Sequence, residues 1–137
     1  MLASDVVTWL KSDVVPDNSI VEEGPTTPDY PVRYYVVMKQ PNQGYRLDGL
    51  FEVEQYRIVC AGDQGQPDTA QSMFADLSSK LHLLQHVNIG SSFVLVVEKI
   101  SGPEETTPIS DDPLDQSYVA GSFNFEVQTT NGEMTSG

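Results

Sequence analysis

A chain of 137 residues with 20 acidic and 7 basic side chains, formal net charge −13, is long enough for one hydrophobic core, and two independent domains within it would each be marginal. That charge balance excludes a nucleic-acid binder that works by neutralising phosphates, and the 39% of apolar residues, which arrive in periodic blocks, exclude wholesale disorder. Cys60 is the only cysteine, so an intrachain disulfide framework is excluded too; beside Ile58 and Val59 it reads as strand packing.

From Met1 to Val15 the chain carries Asp5, Lys11 and Asp13 and has no basic leader, so neither a signal peptide nor a membrane span is expected, and folding in the cytosol is. Leu2, Val6, Trp9 and Leu10 recur at helical spacing, which predicts a short amphipathic helix over 4–14, capped by Ser4 or Asp5 and limited by Pro16. Ile20 and Val21 form a brief apolar run, and the proline-rich stretch from Gly24 to Pro31 reads as a loop.

Two strands follow, from Val32 to Met38 and from Leu50 to Ala61, with Pro41 to Gly44 as turn chemistry between them. Phe51, Val53, Tyr56 and Ile58 break strict alternation, so the second strand is expected to bulge or to be covered on two faces. Together they read as a hairpin over Val32 to Ala61 with Gln40 to Gly49 as its projecting end.

Ala70, Met73, Phe74, Leu77, Leu81 and Leu84 line one helix face at spacings of three and four, begun by Asp68 or Thr69 and ended by Asn88 and Gly90. Phe93 to Ile100 reads as a strand. Residues 101–117 hold Glu104, Glu105, Asp111, Asp112 and Asp115 with three prolines and no Lys or Arg, which predicts a solvated acidic loop. In the closing strand, Tyr118 to Thr129, the parity of Val119, Gly121, Phe123, Phe125 and Val127 is expected to face the helices. The tail 131–137 has little to bury and is expected to be loose beyond a single domain of residues 1–130. This order predicts an α/β (α+β) sandwich, a mostly antiparallel sheet of about four to five strands with both helices on one face.

Candidate chemistry is sparse. His82 and His86 stand four apart on the expected helix, but Leu83-Leu84-Gln85 between them lack a zincin glutamate, so both read as polar-face or helix-end residues and His86 as a partner of free helix carbonyls. The adjacent pairs Glu22-Glu23, Glu104-Glu105 and Asp111-Asp112 lie in loop-like sequence, where nothing holds two carboxylates at a set separation. No phosphate-binding or nucleophile-elbow motif occurs. The chain is therefore expected not to be an enzyme, with no catalytic, cofactor-binding or metal-ligating residue.

Tyr30, Tyr34, Tyr35, Tyr45 and Tyr56 exceed what a core requires, and tyrosine is common at interfaces. Arg33, Lys39, Arg46 and Arg57 fall in or beside the long strands while acids dominate the proline-rich loops, a segregation that favours self-assembly.

The N-terminal helix, the run Asp29-Tyr30-Pro31-Val32-Arg33-Tyr34-Tyr35-Val36-Val37, the Glu52-to-Cys60 strand, the Ala70-to-Leu84 helix and the Tyr118-to-Val127 strand together resemble the tail terminator or tail completion proteins of long-tailed bacteriophages, over about residues 1–129. The resemblance lies in layout and size. It implies an α/β sandwich that closes into a homo-hexameric ring, caps the tail tube, ends its polymerisation and meets the head connector. It also implies a virion protein of the head–tail joint, assembled in the host cytoplasm, whose partners are its own copies, the tube protein and the connector or completion protein, with no cofactor and no membrane. Genome DNA would pass through without being held. On this reading Tyr45, Arg46 and Gln43 at the hairpin end, with Arg33 and Arg57, are expected at interfaces, and Glu22, Glu23, Asp29, Glu104, Glu105, Asp111, Asp112 and Asp115 are expected to line the lumen. The alternatives are a head completion protein at the same joint and a small cellular ligand-binding domain.

Overall fold

The computed structural model describes residues 1–24, 32–47, 49–66, 68–105 and 116–129. Most of the expected Gly24–Pro31 loop, the expected tail 131–137, and ten residues of the expected acidic loop lie outside these ranges.

Helix α1 spans Ala3–Trp9 and widens into a π turn over Leu10–Val14, closed by the Val15 amide donating to the Leu10 carbonyl at 2.9 Å. Val6, Trp9, Leu10 and Val14 are buried, and the chain turns extended at Val15, as the residue before a proline should. The expected cap is not made. Leu2 occupies the N-cap position with no side-chain hydrogen bond, and its carbonyl accepts from the amides of Asp5 and Val6, which leaves Ser4 and Asp5 inside the first turn. At the far end the Lys80 ammonium donates to the Val14 carbonyl at 3.0 Å, tying the two helices together.

Seven strands form one sheet: β1 Ile20–Glu23, β2 Tyr34–Lys39, β3 Tyr45–Arg46, β4 Phe51–Ala61, β5 Gln85–Ile89, β6 Ser92–Glu105 and β7 Tyr118–Gln128. Their order is β1-β2-β4-β7-β6-β5, with β3 added on β4, and only β1 with β2 is parallel. The mostly antiparallel sheet is thus as expected, but β3 and β5 raise the strand number above four or five. The sheet curls into a half-barrel with both helices on one face. A cause is visible in β6, which slips register against β7 three times, between Val94 and Val96, Lys99 and Ser101, and Ser101 and Glu104. Each inserted residue bends the strand and raises its twist.

Helix α2 spans Thr69–Leu81 and stops one turn short of the expected end at Leu84. The apolar stripe does run on, but the Leu83 amide donates to Val97 O at 2.7 Å and the Val97 amide to Leu84 O at 2.8 Å, so β6 captures the chain and β5 follows. Pairing to a neighbouring strand outweighs helix propensity here. Of the residues expected to end the helix, Asn88 lies in β5 opposite Phe93, and Gly90, at φ 61°, opens the two-residue hairpin turn Gly90-Ser91 between Ile89 and Ser92. Likewise Glu104 and Glu105, expected in a loop, continue β6 opposite Ala120 and Val119.

The core lies between the helices and the sheet's inner face. Val119, Phe123, Phe125 and Val127 of β7 enter it with Tyr56, Ile58 and Cys60 of β4, so the apolar parity of β7 faces the helices as expected. Phe125 takes Trp9 and Tyr56 edge-on, at centroid distances of 6.2 and 5.2 Å. Gly121 makes room for α2, since a Cβ there would stand 2.4 Å from Phe74 Cζ. On the opposite face Tyr34, Val36, Ala61 and Tyr118 form a smaller buried cluster against Ile20, Met38 and Val59. The expected surplus of interface tyrosines is mostly core: Tyr34, Tyr35, Tyr56 and Tyr118 are buried, Tyr45 is exposed and Tyr30 lies outside the described residues.

Candidate assembly surface

Among its described residues, the segment expected as a projecting loop, Gln40 to Gly49, contains the two-residue strand β3 and is otherwise irregular, but backbone hydrogen bonds lay it along β4. Beyond the last β2–β4 pair the Gln40 amide donates to Gln55 O, the Gln43 amide to Val53 O and the Val53 amide to Gly44 O, all within 2.7–2.8 Å, while Pro41 and Asn42 between them are exposed. At the tip the Leu50 amide donates to Leu47 O, and Thr129, just past β7, clamps the tip with its amide to Leu50 O and its hydroxyl to Gly49 O. Tyr45, Leu47 and Leu50 expose 66%, 61% and 41% of their surface, which gathers three large apolar side chains on one hairpin end. Tyr45 is paired with Glu52 on the inner side of the sheet, whereas Arg46 holds Glu126 at 2.9 Å on the outer side. A partner touching both must grip the hairpin from two sides.

The expected interface cations are mostly committed within the chain. Arg33 donates to Asp63 from its backbone amide, Nε and Nη2, the shortest at 2.8 Å, and these hydrogen bonds raise its own pKa and hold the Asp63 carboxyl below the usual range. Lys39 Nζ lies 3.5 Å from Glu54 and donates to the Met1 carbonyl at 2.8 Å. Arg57 is the exception: half-buried on the outer face, it lies between Met38 and Ser122 and makes no ion pair among the described residues. Gln43 spends its amide on Pro41 O at 2.7 Å.

Of the expected lumen acids, Glu22, Glu23, Glu104 and Glu105 are described; Asp29, Asp111, Asp112 and Asp115 lie outside the described residues. Glu22 pairs with Val36, Val36 with Val59, Val59 with Ala120 and Ala120 with Glu104, so Glu22 and Glu104 close the two ends of one row on the helix-free face. Alternation places Glu23 and Glu105 on the other face. One member of each adjacent pair, not both, can therefore face a given direction.

His82 and His86 do not share a helix. His82 caps α2 in extended geometry and its Nδ1 accepts the Lys99 amide at 3.0 Å, whereas His86 lies in β5 at φ 53° and stacks on Phe93 at 6.0 Å, away from the helix carbonyls expected for it. Among the described residues no group of three or more His, Cys, Asp or Glu could hold a metal, and no helix is long and apolar enough to cross a membrane. Burial pushes the Cys60 thiol up, and Tyr35 up to about 12, as expected of packing groups rather than of reactive ones.

Sequence reasoning missed Glu54, which is 3% exposed on the core parity of β4. Tyr56 donates to its Oε1 at 2.7 Å and the Met1 ammonium lies 3.1 Å from Oε2. Burial and that hydrogen bond push the Tyr56 phenol up. The available signal was parity, because Glu52, Glu54, Tyr56, Ile58 and Cys60 alternate with the other face. Compared with protein-family models and with curated proteins, the chain finds no match in either.

Proposed function

We propose that this protein is a structural virion protein of the tail-terminator kind, whose subunits join in a ring that caps the tail tube, ends its polymerisation and meets the head connector. The observation that carries the reading is the apolar hairpin end: a single-domain chain of net charge −13 that nonetheless exposes Tyr45, Leu47 and Leu50 together has a surface suited to burial against another subunit. Arg57, which makes no ion pair among the described residues, is a further side chain that a neighbouring subunit could engage. Neighbouring subunits would bury the hairpin end, and the row closed by Glu22 and Glu104 on the helix-free face would turn acid toward a channel that DNA crosses. Sedimentation velocity across concentration and salt tests the reading. A ring-sized species, or one formed on addition of tube protein, is expected; a strict monomer under all these conditions sinks it.

A further inference from the structure

The helical layer ends before the sheet does. At the hairpin end the inner face carries a hollow of about 260 Å³, walled by Met1, Tyr45, Glu52, Glu54, Ser92 and Gln128. Metabolite sites run to ~300–1,000 Å³, so this one suits a fragment about the size of a single side chain. We propose that the hollow receives an arginine side chain from a protein partner.

Charge decides the sign of the occupant. Glu54 is already compensated by the Met1 ammonium and by Lys39, so this corner holds a cation out of water in the folded protein. Glu52 is not: Asn42 Nδ2 donates to its Oε1, and no cation pairs with it among the described residues. The half-buried Glu52 carboxylate keeps Oε2 for an incoming donor. Tyr45 stands directly opposite on β3, in cross-strand register with Glu52, and its exposed ring offers a face on which a planar cation can stack. Ser92 and Gln128 line the same rim. A guanidinium, with five donors in a flat fork and weak hydration, can bind the carboxylate and stack on the ring together, whereas an ammonium is a compact, strongly hydrated point charge without the fork.

The probe is the tripeptide acetyl-Gly-Arg-Gly-amide, titrated into the protein and followed by amide chemical shifts, with Gly-Lys-Gly and the neutral isostere Gly-citrulline-Gly alongside at matched ionic strength. Saturable shifts centred on Tyr45, Glu52 and Ser92 are expected, strongest for arginine and absent for citrulline. Glu52→Gln should weaken the arginine response about tenfold, the loss of one charge-assisted hydrogen bond. Tyr45→Leu, which leaves every backbone bond of the hairpin in place, should weaken it as well and carries the test if Glu52→Gln disturbs the fold. An equal response to citrulline, shifts scattered over other acidic surface, or variants that bind as well as the wild type would each overturn the proposal.

Discussion

Glu54 and Gly121 are the two residues at which single substitutions should be most costly, for opposite reasons. Glu54→Gln leaves the Met1 ammonium and the Tyr56 hydroxyl without their anion inside the fold, and breaking a buried pair in this way costs about 3 kcal/mol. Urea unfolding should show that loss, and a change below about 0.5 kcal/mol, the size of an ordinary surface substitution, would mean that the network contributes little. Gly121→Ala forces a Cβ to 2.4 Å from Phe74 Cζ with backbone on the other side, so overpacking of about 1–3 kcal/mol is expected, relieved in part by Phe74→Leu. The Arg33–Asp63 bridge is a lesser matter, half-exposed and worth less than about 1 kcal/mol. Its sign in pH is nevertheless fixed. Because Asp63 is held below its ordinary range in the folded protein, the bridge stabilises fully above that range and fades as pH falls through the depressed value. Asp63→Asn should therefore lower stability slightly near neutrality and flatten the acid limb of a stability–pH curve.

At the scale of elements, the hairpin separates fold from assembly. Leu47→Ser with Leu50→Ser alters side chains that reach solvent at a clamped turn, so denaturation midpoints should stay within about 0.5 kcal/mol of wild type while self-association falls. Unfolding of that double variant would show that the tip is core to some larger packing. The two helices, five of the strands, the short β1 included, and the inward parity of β7 were legible because their apolar runs and periodicity survive in the structure. What was not legible has a common cause. Leu84 completes the apolar stripe of α2, and nothing local tells that β6 will take Leu83 and Leu84 as strand partners. Tyr45 and Arg46 are too short a strand to announce themselves, and Glu54 reads as an ordinary solvated acid until α1 brings the chain start beside it. Three of the four cations whose segregation favoured self-assembly, Arg33, Lys39 and Arg46, have partners in this same chain, because the sheet and the loop after β4 bring acids distant in sequence, Asp63, Glu54 and Glu126, beside them.

For the whole molecule, net charge sets the terms of association. Subunits of −13 repel one another over distances longer than a Debye length, about 8 Å at physiological ionic strength, so the proposed ring should form more readily as salt rises toward that value. Weaker association with added salt would point to ion pairs, not apolar burial, as the joining force. Glu22→Lys together with Glu104→Lys reverses both ends of the row on the helix-free face. Ring formation should survive, since neither residue lies on the hairpin, but genome ejection from assembled particles should slow at low ionic strength and recover as salt screens the new charges. An unchanged rate would leave these carboxylates as ordinary solubilising groups.

The exposed length of β6 has a different consequence. β5 covers its first residues only; past Val97 the strand runs on to Glu105 with β7 on one side. That stretch is poor at recruiting another strand: the His82 imidazole occupies the Lys99 amide, Pro103 has no amide to offer, and Glu104 and Glu105 carry like charge. The opposite edge, β1, is four residues long and ends in two glutamates. These two stretches of edge thus offer crowded copies of this chain a poor template for edge-to-edge sheet growth. His82→Ala, by freeing that one amide, should raise the tendency to form thioflavin-positive fibrils on prolonged incubation while leaving the folded monomer's spectrum unchanged.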